Sequence, residues 1–178
     1  PDPDSFINSK TLGLKTNEVL LEAKVVWTWV DGTADDVGIH ESKLVGNQLM
    51  DGLYPEVNFD PAPSLKSDAR YKVEFYGTDR AGNASSFELG IVYFDDIPPQ
   101  ITGAFPISNS FINLDEVEYS VNEQLLNGDI KWTPTDGTSS INVLLSGLEL
   151  DQGDFLRSKL TNQKDLVDGT IYDLIISA

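Results

Sequence analysis

The sequence predicts an all-β chain of two tandem antiparallel β-sandwiches, the second lacking its last strand. Three observations predict it. The chain repeats itself over a whole unit. Its apolar residues alternate with a period of two. Turn signals such as DGT, NGD and DRAGN cut that alternation into short runs.

The repeat sets the organisation. Ser5-Phe6-Ile7-Asn8 recurs as Ser110-Phe111-Ile112-Asn113, Asn17-Glu18 as Asn122-Glu123, and Leu20-Leu21 as Leu125-Leu126. Trp27-Thr28 recurs as Trp132-Thr133, and Asp31-Gly32-Thr33 as Asp136-Gly137-Thr138. The second copy is four residues shorter just after that turn. Beyond the gap Gly46, Leu49, Gly52, Leu65 and Tyr71 meet Gly147, Leu150, Gly153, Leu166 and Tyr172. The unit is therefore about 100 residues, the size of one domain. Repeat 1 is placed at 1–96 and repeat 2 at 97–178. The stiff stretch Phe94-Asp95-Asp96-Ile97-Pro98-Pro99 lies between them, and its prolines end the preceding strand. Repeat 2 stops short of the final hairpin and strand, so the sequence reads as an excised fragment ending inside a repeat.

The elements follow in order. Leu12, Leu14 and Thr16 alternate with Gly13 and Lys15, and Val117, Tyr119 and Val121 copy them. Val25, Trp27 and Trp29 share one face of the next strand, with Val26, Thr28 and Val30 on the other. The copy is Ile130, Trp132 and Pro134. Tyr71, Val73 and Phe75 form a penultimate strand, copied by Tyr172, Leu174 and Ile176. Phe87 to Phe94 closes repeat 1. Helix is expected only around Leu156 to Leu166, and weakly. Seven short strands in about 100 residues indicate two packed antiparallel sheets. Trp27 and Trp132 fall where an immunoglobulin-type sandwich buries its core tryptophan. Tyr71 and Tyr172 fall where a tyrosine-corner hydroxyl bonds back to the backbone. With no cysteine, the tryptophans pack on aliphatic neighbours and not on a disulfide.

These residues carry a resemblance. KVVWT and DIKWT with the DGT turn, LVGNQLMDG and LSGLELDQG, YKVEFYGTDRAGNAS and the closing VYFDDIPP resemble the tandem bacterial immunoglobulin-like repeats of large cell-surface and adhesin proteins. The set covers nearly the whole chain, although only repeat 1 reaches its DxAGN segment. The resemblance implies an extracellular location at the bacterial cell surface. It implies a structural and adhesive role, with neighbouring repeats of the same chain and a cell-surface or polysaccharide ligand as partners. It does not specify a ligand.

Composition excludes other classes. The chain has 178 residues, with 12 Lys and Arg against 29 Asp and Glu, for a net charge of −17. Such acidity speaks against nucleic acid and anionic membrane as partners. No run approaches a membrane-spanning length, so no membrane insertion of this fragment is expected. The absence of cysteine excludes disulfides, zinc–thiolate sites and thiol catalysis, and a single histidine excludes sites that need two. No GxSxG, HExxH or phosphate loop appears, so the chain reads as non-enzymatic. His40, in the polar stretch Gly38 to Lys43, reads as a surface histidine.

The candidate ligand set is for calcium, which wants six to eight oxygens. Asp95 and Asp96 stand side by side in the linker, and Asp79 and Asn83 flank a turn. A linker ion would stiffen a rod of repeats, as surface proteins of the resembled kind often do. The bland reading is that Asp79 and Asn83 shape a tight turn and the linker acids are simply solvated. The DGT turns read as structural, with glycine supplying a positive φ. Asn83-Ala84-Ser85 fits a glycosylation sequon but reads as the turn. A carbohydrate-binding or spacer region of a secreted polysaccharide-degrading enzyme is the alternative function, and it calls for an exposed row of aromatics.

Overall fold

The computed structural model describes residues 2–57, 59 and 61–178. It is all-β apart from two short 3-10 turns, Gly46–Leu49 and Gly147–Leu150, which occupy matching places in the two copies. The chain divides into a first unit, Pro1–Ile97, and a second, Pro98–Ala178.

In the first unit the strands are β1 (Phe6–Ile7), β2 (Leu12–Thr16), β3 (Leu20–Gly32), β4 (Ile39–Lys43), β5 (Gly52–Val57), β6 (Ala69–Asp79) and β7 (Ala84–Phe94). One sheet has the order β1-β7-β6-β3-β4, and β2 pairs with β5 in a second. All pairs are antiparallel except β1 with β7, where Phe6 meets Tyr93. The period-two alternation explains the layering. Val25 and Trp27 of β3, Tyr71 and Val73 of β6 and Val92 of β7 point to the side that Leu12 of β2 and Val57 of β5 cover. Together they form one buried cluster, with Trp27 fully excluded from solvent. Trp29 is only half-buried at its rim, and its indole N–H donates to the Thr33 carbonyl at 3.0 Å. Pro55 is tolerated within β5 because β5 pairs on one side only among the described residues.

In the second unit the strands are β8 (Ile101–Phe105), β9 (Glu116–Val121), β10 (Asp129–Pro134), β11 (Ile141–Leu144), β12 (Gly153–Lys159) and β13 (Tyr172–Ser177). They form two sheets, β12-β9-β8 and β11-β10-β13. Val117, Tyr119 and Val121 of β9 meet Ile130 and Trp132 of β10 and Val143 of β11 in a second core. β13 is a sheet edge, whereas its counterpart β6 is flanked by β3 and β7.

One expectation is corrected. The weak helical reading of Leu156 to Leu166 gives way to β12, which pairs antiparallel with β9 through a register shift between Phe155 and Ser158. The shift breaks the alternation that would have marked a strand. At the N-terminus the Asp4 amide donates to the Ile91 carbonyl and β1 lies along β7.

Candidate functional site

The four predicted ligands fall into two groups. Asp79 ends β6 and Asn83 precedes β7, so both sit at one hairpin tip. Asp95 and Asp96 follow the other end of β7. A strand of that length spans about 33 Å at about 3.3 Å per residue, so one ion cannot take ligands from both groups.

At the tip Asp79 Oδ1 accepts from the amides of Ala81 and Asn83, both at 2.8 Å, and Oδ2 accepts from Asn83 Nδ2 at 2.8 Å. The Asp79 amide in turn donates to the Asn83 carbonyl at 2.9 Å. The Asn83 side chain and then its amide hold the Asp79 carboxyl below its ordinary range. This is an aspartate turn closed on itself. Its three donors engage both carboxylate oxygens in shaping the turn.

At the linker Asp95 Oδ1 accepts from Ser67 Oγ at 2.5 Å and from the Ile97 amide at 3.1 Å. The same Ser67 oxygen accepts from the Asp96 amide at 2.9 Å, and Asp96 Oδ2 lies 4.0 Å from Lys10 Nζ. These carboxylates have the right donor chemistry for calcium but supply fewer oxygens than it needs. Among the described residues no group of three or more His, Asp or Glu is gathered as a metal-ligand set.

The sequence reading missed the most elaborate polar cluster. His40 is not a surface residue. It lies on β4 opposite Trp27 and is 8% exposed. Its Nε2 lies 2.6 Å from Asp35 Oδ2, which also accepts from the Tyr71 hydroxyl at 2.6 Å. Asp35 Oδ1 takes the amides of Val37 and Gly38 at 3.1 and 3.4 Å. Burial pushes the Asp35 carboxyl up, but these bonds outweigh it and hold the group down at about 2. Burial, and then the bond to Asp35, push Tyr71 up to about 12. The cluster fastens the loop between β3 and β4 onto β4 and β6. Asp35 is spent on four donors, so it acts as a structural clamp and offers no open acid–base pair.

Second-unit counterparts show what the clamp replaces. Trp27 faces His40 across the ladder, and Trp132 faces Ile141. Ser42, also fully buried, corresponds to Val143. Where the loop is shorter, the acid is absent and an isoleucine stands in place of the histidine. Both tyrosine corners are present: the Lys66 amide donates to the Tyr71 hydroxyl and the Val167 amide to the Tyr172 hydroxyl, each at 2.9 Å.

The remaining candidates are structural. Trp27 and Trp132 are fully buried and Trp29 is half-buried, so the tryptophans build no sugar-binding platform. Gly32 and Gly137 adopt φ of +88° and +83°, as the DGT turns require. Set beside known protein families, curated proteins and solved structures, the chain matches none.

Proposed function

We propose that the chain is a pair of immunoglobulin-like sandwich repeats serving as a non-catalytic spacer in a secreted bacterial surface protein. One observation carries the reading. The same frame is built twice, with a fully buried tryptophan on an interior strand and a tyrosine hydroxyl bonded to an amide five residues upstream. A frame that is built twice around a buried tryptophan, with each tyrosine hydroxyl bonded to the backbone, suits bearing load or setting distance.

The proposal assigns calcium, as a stiffening ion, to Asp95 and Asp96 rather than to the hairpin tip. Asp95 takes its hydrogen bonds on Oδ1, whereas Asp79 takes them on both oxygens. Other ligands for such an ion would come from solvent or from groups not within this set.

Two measurements test it. Antibodies against the chain label intact cells of the source organism; labelling only after permeabilisation overturns the surface role. Metal-stripped protein melts higher in millimolar calcium than in magnesium. Ligand at a hundredfold excess over Kd stabilises by about 2.7 kcal/mol. Asp95→Asn with Asp96→Asn abolishes the rise, and Asp79→Ala keeps it. An unchanged melting temperature removes calcium from the account.

A further inference from the structure

We infer that the outer edge of β4 is a self-association surface, which pairs antiparallel with β4 of a second copy of the chain. The inference goes beyond the spacer reading, since it joins one chain to another.

β4 stands at the margin of its sheet and pairs only with β3 among the described residues. Neither end strand of a repeat covers that margin. The leading strand β8 pairs with β9 in the other sheet, and the closing strand β7 lies between β1 and β6. The Leu44 amide donates to the Ala23 carbonyl at 2.9 Å, and the Trp29 amide to the Gly38 carbonyl at 2.7 Å. These bonds set the phase of the ladder. His40 and Ser42 turn their backbone groups toward β3, and Glu41 and Lys43 turn theirs to the free side. The flanking amides are already used, Ile39 on the Val37 carbonyl and Val45 on the Gln48 side chain.

The second repeat closes the same edge for itself. Asn162 Nδ2 donates at 2.9 Å to the carbonyl of Leu144, the counterpart of Lys43. The residue matching Asn162 in the first repeat is Pro61, which has no side-chain donor. The first repeat thus leaves uncapped what the second caps.

Charge specifies the occupant. Lys24 and Lys43 stand directly opposite each other on β3 and β4, an unfavourable arrangement. Lys24 is compensated by Glu41 Oε1 at 2.7 Å and by the Tyr76 ring. No carboxylate lies within ion-pair distance of Lys43 among the described residues. Charges on an edge strand usually deter pairing, but here opposite signs alternate along the free side. A twofold axis through Ser42 sets Glu41 opposite the second copy's Lys43, and Lys43 opposite its Glu41. Each of these residues then donates and accepts across the axis. The same register sets Ile39, 55% exposed, opposite Val45, 56% exposed. An axis through Glu41 would instead oppose two glutamates. The matching positions on β11 are Asn142 and Leu144, which carry no charge.

Sedimentation equilibrium of the full chain, from micromolar to millimolar concentration, is expected to show monomer and dimer in exchange. Hydrogen exchange is expected to slow with concentration at the Glu41 and Lys43 amides and to stay unchanged at His40 and Ser42. Lys43→Glu places an acid opposite Lys24, so the fold is not put at risk, and it weakens the dimer about tenfold. Glu41→Lys weakens it likewise. An equimolar mixture of the two variants pairs again, because every charge opposed across the axis is then of unlike sign. Both variants remain strongly acidic, so net charge does not account for that rescue. A chain that stays monomeric at millimolar concentration overturns the inference. So does a dimer whose protection falls on β2 or β13 instead of β4, a dimer indifferent to both substitutions, or a mixture that fails to pair.

Discussion

The Tyr71 hydroxyl donates to Asp35 Oδ2 at 2.6 Å while accepting the Lys66 amide at 2.9 Å. Tyr172 makes the equivalent amide bond, from Val167, in a repeat that has no counterpart of Asp35. One corner is thus a single hydrogen bond and the other is the hub of a buried chain of four groups: amide, phenol, carboxylate and imidazole. The difference comes from four extra residues after the DGT turn, which carry Asp35 back over the sheet.

Removing each hydroxyl separates the two cases. Tyr172→Phe deletes one hydrogen bond and is expected to cost the second unit about 1 kcal/mol. Tyr71→Phe deletes two and leaves a buried carboxylate short of a donor, for about 2–3 kcal/mol in the first unit. Hydrogen exchange resolves the units, through Val25 and Val73 in one and Ile130 and Leu174 in the other. Equal losses would show that the Asp35 bond contributes nothing beyond the corner.

Acid should weaken the first unit through Asp35. Its folded value of about 2 lies below the ordinary 3.8, so the charged form is the one the fold favours. The contribution is complete above pH 3.8 and is lost as pH falls through about 2. Its size is on the order of 2 kcal/mol. The stability gap between wild type and Asp35→Asn should therefore narrow over that interval, measured by denaturant unfolding at a series of pH values. A gap that stays constant down to pH 2 would contradict a buried, ionised Asp35. At the alkaline end the sign reverses. Tyr71 and Tyr119 are each pushed up to about 12, so their contribution holds below pH 10 and is lost as pH rises through 12.

The second unit suggests how to dismantle the clamp. His40→Ile copies Ile141 but leaves Asp35 buried without its imidazole partner, and should cost about 3 kcal/mol. Adding Asp35→Ala removes the stranded charge and should recover part of that loss. Thermal unfolding of the single and double variants checks this. A double variant less stable than His40→Ile would mean that Asp35 serves the fold through Tyr71 and the Val37 and Gly38 amides without the imidazole.

Much of the frame was legible because the repeat and the alternation agree. Trp27, Trp132, Tyr71 and Tyr172 sit on inward positions that both signals mark. β4 shows where alternation misleads. By hydropathy Ile39 should face inward and His40 outward, yet Ile39 is 55% exposed and His40 is buried. The ladder with β3 sets the facing, and Asp35 makes the inward histidine tolerable. The coincidence of the lone histidine with the extra loop residues was the available signal. At the candidate metal site, residue type suggested ligands, and the hydrogen bonds show that Asp79 and Asn83 also shape the turn. Spacing along β7 separated Asp79 from Asp95, which strand length alone could have shown.

The repeated DGT turn hides two different environments, and glycine substitution should expose them. Gly32 is paired with Ala69 inside the β3–β6 ladder, and Asp31 beside it bonds Arg70 at 3.0 Å. A Cβ on Gly32 would lie 2.3 Å from the Asp68 carbonyl oxygen and 2.9 Å from Ala69 Cα. Those are backbone atoms held by the ladder, and the Thr33 amide also binds that carbonyl at 2.8 Å. They cannot step aside. Gly137 has open space around it, and Asp136 only caps its own turn through Thr138. Gly137→Ala should therefore cost only its positive-φ strain, about 1 kcal/mol. Gly32→Ala carries the same strain and a steric clash besides, for about 3 kcal/mol or more. Denaturant unfolding read separately for each unit checks the contrast. Equal costs would mean that backbone angle alone, and not the close approach of Asp68, reserves this turn position for glycine.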